Sequence, residues 1–163
     1  MKIEKVYLTK ENLIKIKKIN DLCYSNENKI DINWYLDRFT ANHIAYILLD
    51  TNNNYIGYII TVPIKKELYD AITNGVLISD LNINPRMFVD SSKYNYIVSL
   101  VILDEYRHQA FDINLITNII NIVEKGKYCA LTTTSDGAYI AKKFMHLIKQ
   151  IDETTAIFEV KIW

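Results

Sequence analysis

The ten residues Tyr94–Leu103 (YNYIVSLVIL) do most to limit what this chain can fold into. They form a near-continuous apolar run without polar alternation, the pattern of a strand buried on both faces. Such a strand needs cover above and below, which calls for a layered α/β arrangement. The next segment adds a second constraint. Asp104–Asp112 is polar loop, and Ile113–Glu124 sets Ile113, Ile116, Ile119, Ile120 and Val123 on one helical face with Asn114, Thr117, Asn118, Asn121 and Glu124 on the other. Gly126 stands where the cap of that helix belongs. A strand that runs through a short loop into a helix turns the unpaired first-turn N–H groups, and the positive end of the helix dipole, toward the loop. That is an anion site, suited to a phosphate-bearing ligand.

The remaining segments supply the layers. Residues 2–8 (KIEKVYL) read as a short strand, and Thr9 is placed to cap a helix on which Leu13, Ile16, Ile19, Leu22 and Cys23 recur at helical spacing. Ile32–Phe39 reads as a second short helix. His43–Asp50 and Tyr55–Ile64 are strands joined by Thr51–Asn54 (TNNN), turn chemistry because Asn tolerates positive φ, and Gly57 marks a bulge or a close backbone approach. Lys65–Ile72 fits one or two helical turns, and residues 73–93 form an irregular connection. Lys127–Thr133 reads as a strand, Ser135 or Asp136 caps a helix running to about Gln150, and residues 154–163 alternate as a closing strand. The expected architecture is a single α/β domain spanning residues 1–163, with a mixed sheet and helices on both faces.

Charge and cysteine usage exclude several functions. With 19 basic and 19 acidic residues the formal net charge is zero, which removes the electrostatic case for nucleic-acid binding. Cys23 and Cys129 have neither CxxC spacing nor a histidine at ligand distance, so they read as small apolar residues in a reducing compartment, and no metal is expected. No apolar stretch suits a signal peptide or a bilayer span, so the expected location is the cytoplasm, with no membrane partner. The weight of Ile, Asn, Lys and Tyr is that of an AT-rich bacterial genome.

The run Leu100-Val101-Ile102-Leu103-Asp104-Glu105-Tyr106-Arg107 resembles the signature of the GNAT acyl-CoA N-acyltransferases, where an apolar strand leads through "peYR" into (Q/R)-x-x-G-x-(G/A). Arg107 matches the first motif position, His108 and Gln109 fill the free ones, Ala110 stands at the first Gly and Asp112 at the second small residue. The resemblance implies a central, mostly antiparallel sheet of six to seven strands flanked by about four helices. It also implies acetyl-CoA as cofactor. Val101 and Leu103 would then offer backbone to the cofactor arm, and Arg107, His108, Gln109, Ala110, Phe111, Asp112 and Ile113 would surround its phosphates. Ser135 and Lys142, in SDGAYIAKKFMHLIK, match family positions that contact the cofactor, Lys142 standing where the family often has a thiolate-protonating Tyr. Two departures stand out. Ala110 suits the loop only at negative φ, and Asp112 brings negative charge to the pyrophosphate position, although it also makes a good helix cap.

Acyl transfer to an amine needs a polarised thioester carbonyl, a deprotonated amine and a protonated leaving thiolate. Tyr139, one helical turn before Lys142, is the candidate acid. Asp80, Ser99 and His43 are candidates for the base, each with a plainer role in loop, strand or hairpin packing. The expected function is acetyl-CoA-dependent N-acetylation of a primary amine on a small molecule or protein, with an unidentified acceptor and, by the family's habit, a homodimer. The alternative is a non-catalytic GNAT-like domain, binding CoA weakly or another ligand, which the two loop departures and Lys142 in place of the family's Tyr favour.

Overall fold

The computed structural model describes residues 2–24, 29–107 and 126–160. Seven strands form one sheet in the order β1-β2-β3-β4-β5-β7-β6. They are β1 (Lys2–Tyr7), β2 (Ile44–Leu49), β3 (Tyr55–Pro63), β4 (Tyr94–Ile102), β5 (Lys127–Thr132), β6 (Met145–Gln150) and β7 (Ala156–Val160). Each neighbouring pair is antiparallel except β4 and β5, which run parallel. The helices described are α1 (Lys10–Cys23), α2 (Ile32–Arg38), α3 (Lys66–Thr73), the single turn α4 (Asp104–Arg107) and α5 (Ser135–Phe144). No described helix is long and apolar enough to cross a membrane.

The sheet is covered on both faces, as the β4 sequence required. On one face Leu13, Ile16, Leu68 and Ile72 from α1 and α3 pack against Ile47, Tyr58, Ile60 and Ile157. On the other, Ala138 and Ala141 of α5 pack against Ile97, Ile102 and Phe158. Burial of each large aliphatic side chain contributes roughly 2 kcal/mol, so these two layers carry most of the drive to fold.

Local chemistry sets the element ends. Thr9 caps α1 through Asn12 N, and Asp31 caps α2 through Asn33 N and Trp34 N. In the β2–β3 turn Asn53 has φ 64°, and the Asp50 carboxylate accepts from the amides of Asn52 and Asn54. Gly57 does sit at a bulge, where Leu48 pairs with Gly57 and Leu49 with Tyr55. A Cβ on Gly57 would collide with the Val101 carbonyl oxygen and lie 3.2 Å from Ile102 Cα, so β3 approaches β4 only without a side chain there.

Three expectations need correction. Leu22 is 75% exposed, while Asn20 is buried on the inner face of α1. The cap of α5 is Thr134, whose hydroxyl accepts from Gly137 N, instead of Ser135 or Asp136. The helix also ends at Phe144, and residues 145–150 form edge strand β6, with Met145 already extended at φ −120°, ψ 157°. Pairing with β7 outweighs the moderate helical propensity of MHLIKQ. The helix read at Ile113–Glu124 lies outside the described residues.

Candidate functional site

The site begins where the one parallel pair of strands separates. The β4–β5 ladder has four pairs, from Tyr94 opposite Lys127 to Ile97 opposite Ala130. Beyond it β4 continues to Ile102 and β5 to Thr132 without pairing to each other. The separation coincides with a bulge in β4. Ile60 pairs with Ser99 but Thr61 with Ile97, so Val98 is an extra residue, and such an insertion bends and twists its strand. A cavity of about 600 Å³ fills the resulting gap. It is bounded by Asn20, Tyr24 and Trp34 toward α1 and α2, and by Gly137, Ile140 and Ala141 of α5 on the other side of the sheet. The cavity therefore passes through the sheet, and a ligand entering from one face can meet one entering from the other.

Strand register decides which backbone groups face the gap. Leu103 N donates to Ile56 O at 2.9 Å. Bonded pairs alternate in an antiparallel ladder, so Val101 opposite Tyr58, and Ser99 opposite Ile60, also exchange their bonds with β3. The N–H and C=O groups of Leu100 and Ile102 point the other way, toward β5. The Ile102 carbonyl is taken by Arg107 Nε at 2.7 Å. Among the described residues, Leu100 is left with no partner for the backbone groups on this edge. The backbone expected from Val101 and Leu103 thus belongs to the β3 ladder, and the residue available to a ligand is one position away. An alternation of this kind is invisible until the pairing is known.

A chain of hydroxyl and amide groups reaches the cavity from α1. Asn20 Oδ1 accepts from Ile30 N at 2.9 Å, and Asn20 Nδ2 donates to Tyr58 Oη at 3.0 Å. Tyr58 Oη lies 3.0 Å from Ser99 Oγ. Asn20 and Tyr58 are buried, and Ser99 is half-buried against the cavity. Burial pushes the Tyr58 phenol well above its usual 10.0, although its bonds to Ser99 and Asn20 act in the opposite direction. Tyr58 therefore remains a protonated donor at any ordinary pH.

Outside the cavity lining, Arg107 links the end of β4 to the start of α5. Its Nη1 lies 3.0 Å from Asp104 Oδ1 and 2.8 Å from Asp136 Oδ2. Burial works against the guanidinium charge, but the two carboxylates more than offset it and hold Arg107 protonated. Tyr24 and Cys23 lie alongside, and burial raises both of their pKa values despite the nearby guanidinium.

The other sequence-derived candidates scatter. Tyr139 is 55% exposed on α5, with Lys143 Nζ 4.6 Å from its ring centroid, and it does not line the cavity. Ser135 and Lys142 are exposed and also lie off the cavity. Asp80 opens a 3-10 turn, and its side chain falls outside the described residues. His43 accepts from Thr40 N through Nδ1, so Nε2 carries the proton and donates to Val89 O at 2.9 Å, a structural bond, and His43 does not line the cavity. His108, Gln109, Ala110, Phe111, Asp112 and Ile113 lie outside the described residues. Of the described candidates Ser99 lines the cavity, and Arg107 lies outside the lining, bonded to Ile102 O at the end of β4. Asn20, Tyr58 and Leu100 were missed. Of these, Asn20 left a trace in the sequence, as a polar residue on the apolar face of α1 at i+4 from Ile16.

No protein-family model matches the chain, and no curated protein matches it in sequence. Solved structures do match over nearly its whole length. The loading GNATL domain of CurA from Lyngbya majuscula aligns with TM-score 0.68 at 13% identity, covering 99% of this chain and 98% of that one. The GphF GNAT-like decarboxylase, solved with isobutyryl-CoA, aligns with TM-score 0.68 at 9% identity, covering 98% of both. Arabidopsis thaliana Naa50, in complex with the bisubstrate analogue CoA-Ac-MVNAL, aligns with TM-score 0.57 at 12% identity over 99% of this chain and 100% of that one.

Proposed function

We propose, on the premise that this chain has the GNAT fold, that it is a single-domain protein that binds an acyl-CoA between β4 and β5 and transfers the acyl group to an amine. The observation that carries this reading is the early end of the β4–β5 ladder, which leaves Leu100 backbone facing an open cavity of about 600 Å³. A ligand arm built from amides pairs with such an edge as an added strand would, and the apolar walls at Ile97, Leu100, Ile140 and Ala141 suit its methylene segments. When bound, acyl-CoA supplies the activated thioester. In the transfer, the amine nitrogen forms a bond to the carbonyl carbon, the carbon–sulfur bond breaks, one proton leaves the nitrogen and the thiol departs protonated.

This chain's own residues position that exchange. Leu100 aligns the arm through its backbone, the sheet gap brings donor and acceptor together from opposite faces, and Trp34 and Tyr35 form an aromatic wall on the α2 side. Arg107 fixes the end of β4 by holding the Ile102 carbonyl. The free thiols of Cys23 and Cys129 support a reducing, cytoplasmic setting.

One observation favours a second reading, binding without transfer. Among the described residues that line the cavity there is no histidine, and the one carboxylate, Asp31, caps α2. Calorimetric titration with CoA and acetyl-CoA, followed by a panel of amines, separates the readings. Micromolar affinity with turnover supports the transferase, and affinity without turnover on any amine supports the binding module. An absence of heat at millimolar ligand removes both.

A further inference from the structure

We infer that Ser99 is the residue that presents a hydrogen-bond donor to the acyl oxygen of the bound thioester, and that Asn20 and Tyr58 are positioning residues that fix its direction. The inference rests on the acyl-CoA reading above and goes beyond it by giving the polarising role to a side chain.

The direction of the chain follows from its fixed end. Ile30 N is a backbone donor, so the atom of Asn20 facing it must be the carbonyl oxygen, and Nδ2 must face Tyr58. An amide nitrogen only donates, so Tyr58 Oη accepts from it. The Tyr58 proton then needs an acceptor, and Ser99 Oγ is the neighbour in reach at 3.0 Å. Leaving that proton unpaired in a fully buried ring hydroxyl would carry a penalty of roughly 1–3 kcal/mol. Ser99 Oγ consequently receives a hydrogen bond from below and keeps its own O–H to donate into the cavity.

Of the other hydroxyls around the cavity, Thr132 Oγ1 donates its proton to Ala156 O at 3.2 Å. Thr134 Oγ1 accepts from Gly137 N and Ser79 Oγ from Leu81 N at 3.4 Å, so those two also keep a proton to donate, and position together with buried support singles out Ser99. Ser99 also occupies the right place. It belongs to the β4 bulge, two residues past the last β4–β5 pair, where the cavity crosses the plane of the sheet. A thioester reached by an arm from one face and an amine from the other has its carbonyl at that crossing. A donor held there by buried partners stabilises the oxygen as it gains negative charge, without reorganisation during the reaction.

The test is isotope-edited infrared spectroscopy of acetyl-CoA labelled at the thioester carbonyl, bound to the wild type and to Ser99→Ala, Ser99→Thr and Tyr58→Phe, with CoA affinity measured in parallel by calorimetry. A hydrogen bond to the carbonyl lowers its stretching frequency. The expected result is a higher frequency in Ser99→Ala, the wild-type frequency in Ser99→Thr, and an intermediate or broadened band in Tyr58→Phe. In Ser99→Ala, acetyl-CoA affinity falls roughly threefold to tenfold while CoA affinity stays within about twofold. If Ser99→Ala binds acetyl-CoA with an unshifted band, the Ser99 inference is overturned and the acyl-CoA reading stands. Should Ser99→Ala not fold, an unshifted band in Tyr58→Phe overturns it equally. A wild type that binds neither ligand removes the acyl-CoA reading and the inference together.

Discussion

Replacing Asn20 by Ala tests the buried network in a single substitution. The change removes two hydrogen bonds at once, to Ile30 N and to Tyr58 Oη. The lost bonds differ in consequence. Tyr58 keeps its bond to Ser99, so losing its donor costs about 1 kcal/mol. Ile30 is 7% exposed, and its amide is left with no partner, which costs roughly 1–3 kcal/mol for a buried backbone donor. The sum is about 2–4 kcal/mol. For a chain of this length each kcal/mol lowers Tm by roughly 2–4 °C, so a fall of about 4–16 °C is expected. The assay is thermal unfolding by circular dichroism, with Asn33→Ala as the control. Asn33 is an exposed α2 residue, and its change is expected to alter stability by less than about 0.5 kcal/mol. A fall of under about 2 °C in Asn20→Ala would refute both the burial of this amide and the direction assigned to the chain.

Gly57→Ala forces β3 away from the Val101 carbonyl and Ile102 Cα, and its stability should fall by roughly 2–3 kcal/mol, measurable as a lower urea midpoint with m unchanged. Asp136→Asn releases Arg107 from its α5 partner. Because that carboxylate is largely exposed, stability should change by less than about 1 kcal/mol, while CoA should bind more tightly in low salt as the guanidinium loses one of its two carboxylate partners and keeps only Asp104. Burial raises the Cys23 thiol above its ordinary 9.0, so it stays protonated at neutral pH. Its alkylation by iodoacetamide should be slow at pH 8 and still accelerating beyond pH 9, whereas fully buried Cys129 should react only on unfolding.

The sequence made the layered fold legible through two signals of different kinds. The apolar run at Tyr94–Leu103 required cover on both faces, and the Asn-rich turn between two β-branched runs required a hairpin. Both depend on local composition, which tertiary contacts reinforced. Strand β6 was illegible because Met145, Ile148 and Lys149 suit a continuing helix as well as a strand, and pairing with β7 decided between them. Leu22 was misassigned because its helical spacing ignored where the end of α1 meets the sheet. The site was legible only in part. The Arg107 motif marked the correct end of β4, yet Arg107 turned out to face Asp104 and Asp136. The backbone edge was displaced from Val101 to Leu100 because bonding parity comes from the partner strand. The Asn20–Tyr58–Ser99 chain joins residues up to 79 positions apart, from three separate elements, and no spacing rule links them.

Amide hydrogen exchange resolved at single residues along β4, with and without saturating acetyl-CoA, tests the central claim most directly. The Leu100 amide faces the open gap and should exchange readily in the free protein, then become protected when ligand is added. Val101 and Leu103, already bonded to β3, should be protected in both states and change little. Protection appearing elsewhere while Leu100 exchanges at the same rate would contradict an acyl-CoA site between β4 and β5.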